Sequence, residues 1–290
     1  MSEYPLHLLG VVGPTPDLPV GAALDAALNW DAIWQAMAGA QDVFITELPK
    51  EQDQADAGSC VPNATAFAEE HLTFKKKKRR VQVSRLYVYR KGREIRGWEN
   101  QDSGLNLGDA ATVYANGVCF EYTFGPYATR RIFEPAPSRA ILEASFNKAR
   151  QLQVPGGALG IAATLLGQNS AFADGERRIV WDGHPVNSDF FDLTGKDGYE
   201  RGVKPGDRIL GYHCRGYIGI NRGSRTVPGF KPGGFWRINQ WRNWGIAHPD
   251  PVELENLGLP YGVSLCPFEL ADDPNYSFDA HAPLEALPVE

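Results

Sequence analysis

Cys60 is the residue of this sequence whose surroundings favour covalent chemistry. It follows a Gly-Ser pair and opens a segment whose apolar residues recur with helical spacing, so its thiol is predicted to lie at a helix N-terminus. The unpaired N–H groups and the helix dipole at that position favour a thiolate over a thiol. A thiolate that performs acyl transfer needs a proton acceptor, a group that orients the acceptor and donors for the oxyanion. These groups must come from distant parts of the chain.

The segment QADAGSC, from Gln54 to Cys60, resembles the Q-G-S-C-G-S-C segment of the papain-like cysteine peptidases. Both segments place a Gln six residues before the Cys and a Gly-Ser pair directly before it. In that family the Gln side chain and the backbone N–H of the Cys form the oxyanion hole, and the Cys begins the long central helix. The resemblance implies these roles for Gln54 and Cys60.

Two later blocks resemble the parts of the same family that supply the base and its orienting group. The block HCRGYIG at 213–219 resembles the family's H-A-x-x-x-x-G strand, which implies that His213 is the general base and later the general acid. The block FWRINQW at 235–241 resembles the strand that enters the family's N-S-W-G motif. It implies that Asn239 holds the imidazole by a side-chain hydrogen bond and that Trp241 shields this bond from water.

Alternatives for the base and for its orienting group remain open. His184, in the segment WDGHPV, is a competing base, although its turn-like context is typical of an exposed histidine. Asn243 is a second candidate for the orienting group, because Arg242 replaces the family's Gly after the motif Trp and one residue is missing before Trp244.

A further match concerns the substrate cleft. The stretch DSGLNLGD at 102–109, followed by YANGVCFEYTFGPY at 114–127, resembles the bacterial branch of the family. It implies that Gly104, with Ser103 beside it, lies in a wall of the cleft where backbone groups pair with an extended peptide, and Trp241 is assigned to the same binding surface. One departure from the family is Ala57, which stands where secreted members place a disulfide cysteine.

The resemblance implies a cysteine peptidase that acts on peptides or proteins. The Cys60 thiolate would attack a peptide carbonyl, and neither a metal nor an organic cofactor is implied. Two other functions remain open: an acyltransferase or transamidase that uses the same residues, and a non-catalytic peptide-binding module.

The composition indicates a folded protein and argues against a nucleic-acid binder. Of 290 residues, 43% are hydrophobic, and 35 Asp and Glu against 29 Lys and Arg give a net charge of −6. The hydrophobic fraction excludes disorder for the bulk of the chain, and the acidity argues against nonspecific nucleic-acid binding. The basic run KKKKRR at 75–80 is interpreted as a solvated loop, with a patch for nucleic acid or an anionic surface as the alternative.

Cysteine usage and the N-terminal residues predict a cytoplasmic protein. The cysteines form no C-x-x-C pair and are too few for a disulfide framework, so we expect reduced thiols and no zinc site. They are Cys60, Cys119, Cys214 and Cys266. The first residues show no signal-peptide pattern, and no run reaches the ~18 apolar residues that a membrane span requires.

The order of helical and strand-like patterns predicts a segregated α+β fold, and the resemblance implies the two lobes of the papain-like fold. The predicted catalytic domain covers 42–250, with a helical lobe at about 42–155 and a β-rich antiparallel lobe at about 156–250. Residues 1–41 form an N-terminal extension, either a buttress or a short pro-segment, and 251–290 are expected to wrap the surface. In the central helix Asn63, Glu69 and Glu70 are expected to face solvent.

Overall fold

The computed structural model describes residues 42–50, 52–154, 157–169, 174–191, 206–221, 234–241, 250–252 and 265–270. The predicted N-terminal extension 1–41 and the alternative orienting residue Asn243 lie outside the described residues, as does most of 251–290. Within the described ranges no helix is long and apolar enough to cross a bilayer.

Helices dominate the first part of the chain and strands the last, as the sequence pattern predicts. The helices are α1 (Cys60–Lys77), α2 (Arg85–Glu94), α3 (Leu107–Asn116), α4 (Glu121–Phe124), α5 (Ser138–Phe146) and α6 (Gly157–Leu166). The strands are β1 (Val43–Phe44), β2 (Ala149–Gln153), β3 (Val180–Val186), β4 (Gly211–Asn221), β5 (Gly234–Ile238), β6 (Asp250–Val252) and β7 (Leu265–Leu270). Short 3₁₀ turns form at Thr129–Arg131 and Ser188–Phe191. The predicted α+β class is therefore confirmed.

The strands form one antiparallel sheet in the order β2-β7-β3-β4-β5-β6, with β1 paired to β4. Strand β7 belongs to 251–290, which the sequence analysis assigned to the surface, yet it lies between β2 and β3 inside the sheet. Pro267 interrupts the strand pattern of this segment, and prolines in sheets are confined to edges and bulges. The pairing of β2 with β7 is shifted at Arg150 and Gln151, where Gln151 meets Pro267, so an irregularity accommodates the proline.

Helix α1 is the central helix, and it begins at Cys60 as predicted. It contacts β3, β4 and β7 of the sheet as well as α2 and α3, so every residue from Cys60 to Thr73 is buried. The expectation that Asn63, Glu69 and Glu70 face solvent is wrong, because the sheet and the neighbouring helices together cover the whole circumference of α1.

The first half of the basic run at 75–80 belongs to a helix and not to the predicted loop, which is restricted to 78–80. Residues up to Lys77 form the last turn of α1, and Lys78 ends the helix with a left-handed backbone (φ 54°). Cations at this position interact favourably with the negative end of the helix dipole. Lys75 and Lys76 also form ion pairs with Glu47 (3.2 Å) and Asp174 (3.4 Å).

Candidate active site

Strands β4 and β5 bring His213 and Asn239 together. His213 lies near the start of β4, Asn239 directly follows β5, and the Nε2–H of the imidazole donates to Asn239 Oδ1 over 2.8 Å. This bond fixes both the tautomer and the orientation of the ring. The Trp241 ring lies against the imidazole with 4.6 Å between ring centroids and is itself 8% exposed. Three residues predicted from distant motifs thus form one cluster.

An aromatic pocket encloses His213, and most of it was missed by the sequence analysis. Its members are Phe190, Phe191 and Trp241. The Phe190 ring lies 5.6 Å from the His213 ring and 5.4 Å from the Trp241 ring, while Phe191 stacks on Trp241 at 6.0 Å. The Phe190-Phe191 pair is visible in the sequence, but no local pattern connects it to a histidine more than twenty positions later.

His184, the competing base, is the direct neighbour of His213 across β3 and β4. Its predicted turn context is wrong, because it lies within strand β3. Arg215 donates from Nε and Nη2 to His184 Nε2 at 3.1 and 2.9 Å, so this nitrogen serves as an acceptor. Burial, followed by the charges of Arg237 and Arg215, lowers the pKa of His184 well below its ordinary value. His184 therefore stays neutral, a state that suits a hydrogen-bond acceptor within the sheet.

Cys60 is fully buried at the first position of α1. The N-cap residue Ser59 makes no side-chain cap to the first turn, which also carries no acidic residue. Instead, Ser59 accepts from Asn63 Nδ2 at its carbonyl oxygen (2.8 Å) and at its hydroxyl (3.1 Å). Helix α1 packs against β4, where burial and then the neighbouring Cys60 raise the pKa of Cys214 well above its ordinary value.

The turn at 53–59, called the nucleophile turn after the role predicted for Cys60, is joined directly to the segment after β5 that carries Asn239. The backbone N–H of Gln54 donates to the carbonyl oxygen of Gln240 over 2.8 Å, between Asn239 and Trp241. The side chain of Gln54 donates from Nε2 to the carbonyl oxygen of Ala57 over 2.9 Å, within its own turn. A primary amide carries two N–H groups, so this bond uses one of its two donors.

Tyr127 and Arg85 hold the nucleophile turn from the helical side. The Tyr127 hydroxyl donates to the carbonyl oxygen of Gln54 (2.9 Å) and accepts from the hydroxyl of Ser59 (2.6 Å). Burial raises the pKa of Tyr127 to about 12, so its hydroxyl keeps the proton that it donates. The Arg85 guanidinium stacks on the Tyr127 ring at 4.2 Å and donates to Asn63 Oδ1 over 2.9 Å.

The predicted cleft wall lies beside the nucleophile turn. Gly104 is buried with a positive φ of 78°, and its N–H donates to the Tyr89 hydroxyl over 3.0 Å. The Ser103 hydroxyl points to the carbonyl oxygen of Gly104 at 3.4 Å. Both backbone groups of Gly104 thus have a hydrogen-bond partner within the protein.

Among the described residues, no group of three or more His, Cys, Asp or Glu side chains is arranged to hold a metal ion. Neither a family model nor a curated protein sequence matches the chain.

Solved structures share its fold at low sequence identity. The cysteine protease xylellain from Xylella fastidiosa superposes with a TM-score of 0.70 at 18% identity, over 93% of this chain and 99% of that one. Procathepsin B S9 from Trypanosoma congolense gives 0.58 at 15%, over 91% and 89% of the two chains. The digestive procathepsin L 3 of Tenebrio molitor larval midgut gives 0.57 at 14%, over 91% and 78%. The chain therefore has the fold of the papain-like cysteine proteases.

Proposed function

We propose that this protein is a papain-like cysteine peptidase that hydrolyses peptide bonds, with Cys60 as nucleophile and His213 as general base. The observation that carries the proposal is the 2.8 Å hydrogen bond between His213 and Asn239, because His213 lies on β4, which packs against the helix beginning at Cys60. A nucleophile, a base and a group that orients the base are the minimum for covalent acyl transfer.

In the acylation step the Cys60 thiolate attacks the carbonyl carbon of the peptide. A C–S bond forms, and the electron pair of the carbonyl moves to its oxygen. The backbone N–H of Cys60 and the Gln54 amide donate to this oxyanion, which is the largest source of stabilisation in such sites. With Nε2 donating to Asn239, Nδ1 is the ring nitrogen that exchanges a proton with Cys60.

The two remaining steps return the enzyme to its starting state. The His213 imidazolium gives its proton to the leaving amine as the C–N bond breaks, and a thioester to Cys60 remains. Water then attacks the thioester while His213 takes up a proton, and the C–S bond breaks to release the carboxylic acid. The aromatic pocket keeps bulk water from the bond between His213 and Asn239, which strengthens that bond.

The first test compares two buried cysteines. Cys60→Ala is expected to abolish cleavage of a fluorogenic peptide library and covalent capture by a peptidyl epoxide. Cys119→Ala is the matched control, because burial raises the pKa of the Cys119 thiol far above its ordinary value and leaves it unreactive. The proposal fails if the Cys60 variant keeps the wild-type rate, or if both variants lose activity equally while folded.

The second test compares the neighbouring histidines. His213→Gln removes the base and is expected to lower kcat by about 10³-fold. His184→Gln keeps an oxygen that can accept from Arg215, so it is expected to stay within about tenfold of the wild type. The reverse ranking would assign the base to His184.

A further inference from the structure

Three segments of the helical part of the chain meet at one carboxylate. Both oxygens of Asp102 accept from the backbone N–H of Gly58 at 3.1 Å, and Asp102 Oδ1 also accepts from the Tyr89 hydroxyl. The same hydroxyl accepts from the N–H of Gly104. We call Asp102, Tyr89 and these two backbone N–H groups the Asp102 clasp. It connects the nucleophile turn, helix α2 and the cleft wall.

The clasp rests on a rigid base although Asp102 itself is exposed. Tyr89 is fully buried, and burial together with the Asp102 carboxylate raises its pKa well above the ordinary value, so its hydroxyl remains a donor. The Arg93 guanidinium lies 3.9 Å from the centroid of the Tyr89 ring and donates to the carbonyl oxygen of Gln101. The residue before Asp102 is therefore held by the same helix as Tyr89.

The Asp102 clasp joins a residue near Cys60 to the predicted cleft wall. Gly58 lies two residues before Cys60, and Gly104 lies in the cleft wall. The hydrogen bond from Gly58 to Asp102 spans 44 positions of the chain. It starts beside Ala57, where secreted members of the resembled family have a disulfide cysteine. Here a hydrogen bond to the Asp102 carboxylate joins the nucleophile turn to the cleft wall. Thiol reagents cannot reduce this link.

We infer that Asp102 and Tyr89 are positioning residues that hold the cleft wall at a fixed distance from the Cys60 nucleophile. This inference rests on the proposed peptidase function. An extended peptide binds along the wall and reacts at Cys60, so its reaction depends on the relative position of both. A small alkylating agent reaches the thiolate without binding to the wall, so its reaction does not depend on the position of the wall.

The kinetic test uses this difference. Tyr89→Phe removes only the hydroxyl, and Asp102→Ala removes both carboxylate oxygens that accept from Gly58 and Tyr89. For both variants we expect kcat/KM on a tetrapeptide amide to fall about tenfold, mainly through KM, since a hydrogen bond of about 1.4 kcal/mol corresponds to that factor. Alkylation of Cys60 by iodoacetamide should change by less than about twofold. Tyr114→Phe, which removes the hydroxyl of a fully buried tyrosine outside the clasp, should leave both rates unchanged.

A second readout does not require any proteolysis. Amide hydrogen exchange at Gly58 and Gly104 is expected to accelerate about tenfold in the clasp variants and to stay unchanged in Tyr114→Phe. If the wild type cleaves no peptide but exchange accelerates as expected, the clasp holds the two segments and the proposed function fails. If the wild type cleaves peptides, and both exchange and the ratio of peptide cleavage to alkylation are unchanged in the folded variants, the clasp inference is overturned. If Tyr89→Phe does not fold, the same measurements on Asp102→Ala, at an exposed position, decide the question.

Discussion

Hydrogen bonds from several elements hold the nucleophile turn, whereas aromatic rings surround His213, which donates one hydrogen bond to Asn239. This difference matches the roles proposed for the two regions, which are oxyanion stabilisation at the nucleophile turn and proton transfer at His213. Oxyanion donors must point at a position fixed to a fraction of an ångström, and directional bonds achieve this. The proposed base exchanges a proton with two partners in turn, and the rings of Phe190 and Trp241 pack on the imidazole and restrict its tilt.

This comparison has a consequence for mutations. Several hydrogen bonds hold the nucleophile turn together, so the loss of one should change kcat little. Fewer contacts hold His213, so the loss of a single one should lower kcat more.

Asn239→Ala should lower kcat by about 10²-fold with little change in KM, because the imidazole loses the acceptor that orients it. Steady-state kinetics on a fluorogenic peptide measure this. Asn169→Ala is the control, since Asn169 is a buried asparagine whose amide donates to Thr164 Oγ1 outside the site. Equal losses in the two variants would mean that Asn239 acts on stability alone.

Phe190→Leu should lower kcat about tenfold and the free energy of unfolding by about 1–2 kcal/mol, because it replaces a ring that packs on both His213 and Trp241. Phe235→Leu is the matched control for Phe190→Leu, because Phe235 is an equally buried ring that packs on Tyr217. It should lose similar stability and keep its kcat. If kcat follows stability in both variants, the packing around His213 has no special role.

Tyr127→Phe should lower kcat by only about threefold, since it removes the hydroxyl bonded to Gln54 and Ser59 but leaves the other bonds to the nucleophile turn. Tyr122→Phe, which removes a half-exposed hydroxyl bonded to Glu143, should leave kcat unchanged. A loss of 10²-fold in Tyr127→Phe would contradict the idea that several hydrogen bonds hold this turn together.

Glu70→Gln should leave kcat unchanged and alter the pH dependence of stability. Burial raises the pKa of Glu70 from 4.5 to about 8, against hydrogen bonds from Gln52 and the Val83 N–H. Between these values the folded state binds more protons than the unfolded state, so wild-type stability falls as pH rises through this window. The Tm of the variant minus the Tm of the wild type should therefore increase from pH 5 to pH 9. A constant difference in Tm would show that Glu70 does not titrate in this range.

The elements that local patterns specify were predictable from the sequence. The start of α1 at Cys60 and the end of α3 before Gly117 follow from helix-terminus signals. Gly117 has a φ of 122°, and a Cβ there would lie 1.7 Å from the carbonyl oxygen of Ala144, so glycine is required. Periodicity could not show that α1 is covered on all sides, because this depends on elements that are remote in sequence.

The geometry of the site was predictable only in part. The motifs indicated His213 and Asn239, and the strand pairing that brings them together is consistent with the predicted antiparallel lobe. Phe190, Tyr127 and Asp102 were not assigned structural roles, since each acts through a contact with a residue distant in sequence. Such contacts are decided by tertiary packing and leave no periodic signal.

Strand β7 comes last among the described strands but lies between β2 and β3, which are separated from it by many residues. During synthesis, the edges of β2 and β3 stay unpaired until residues 265–270 have left the ribosome. A nascent chain would thus hold an open sheet, with exposed edges that invite aggregation, until β7 has been made.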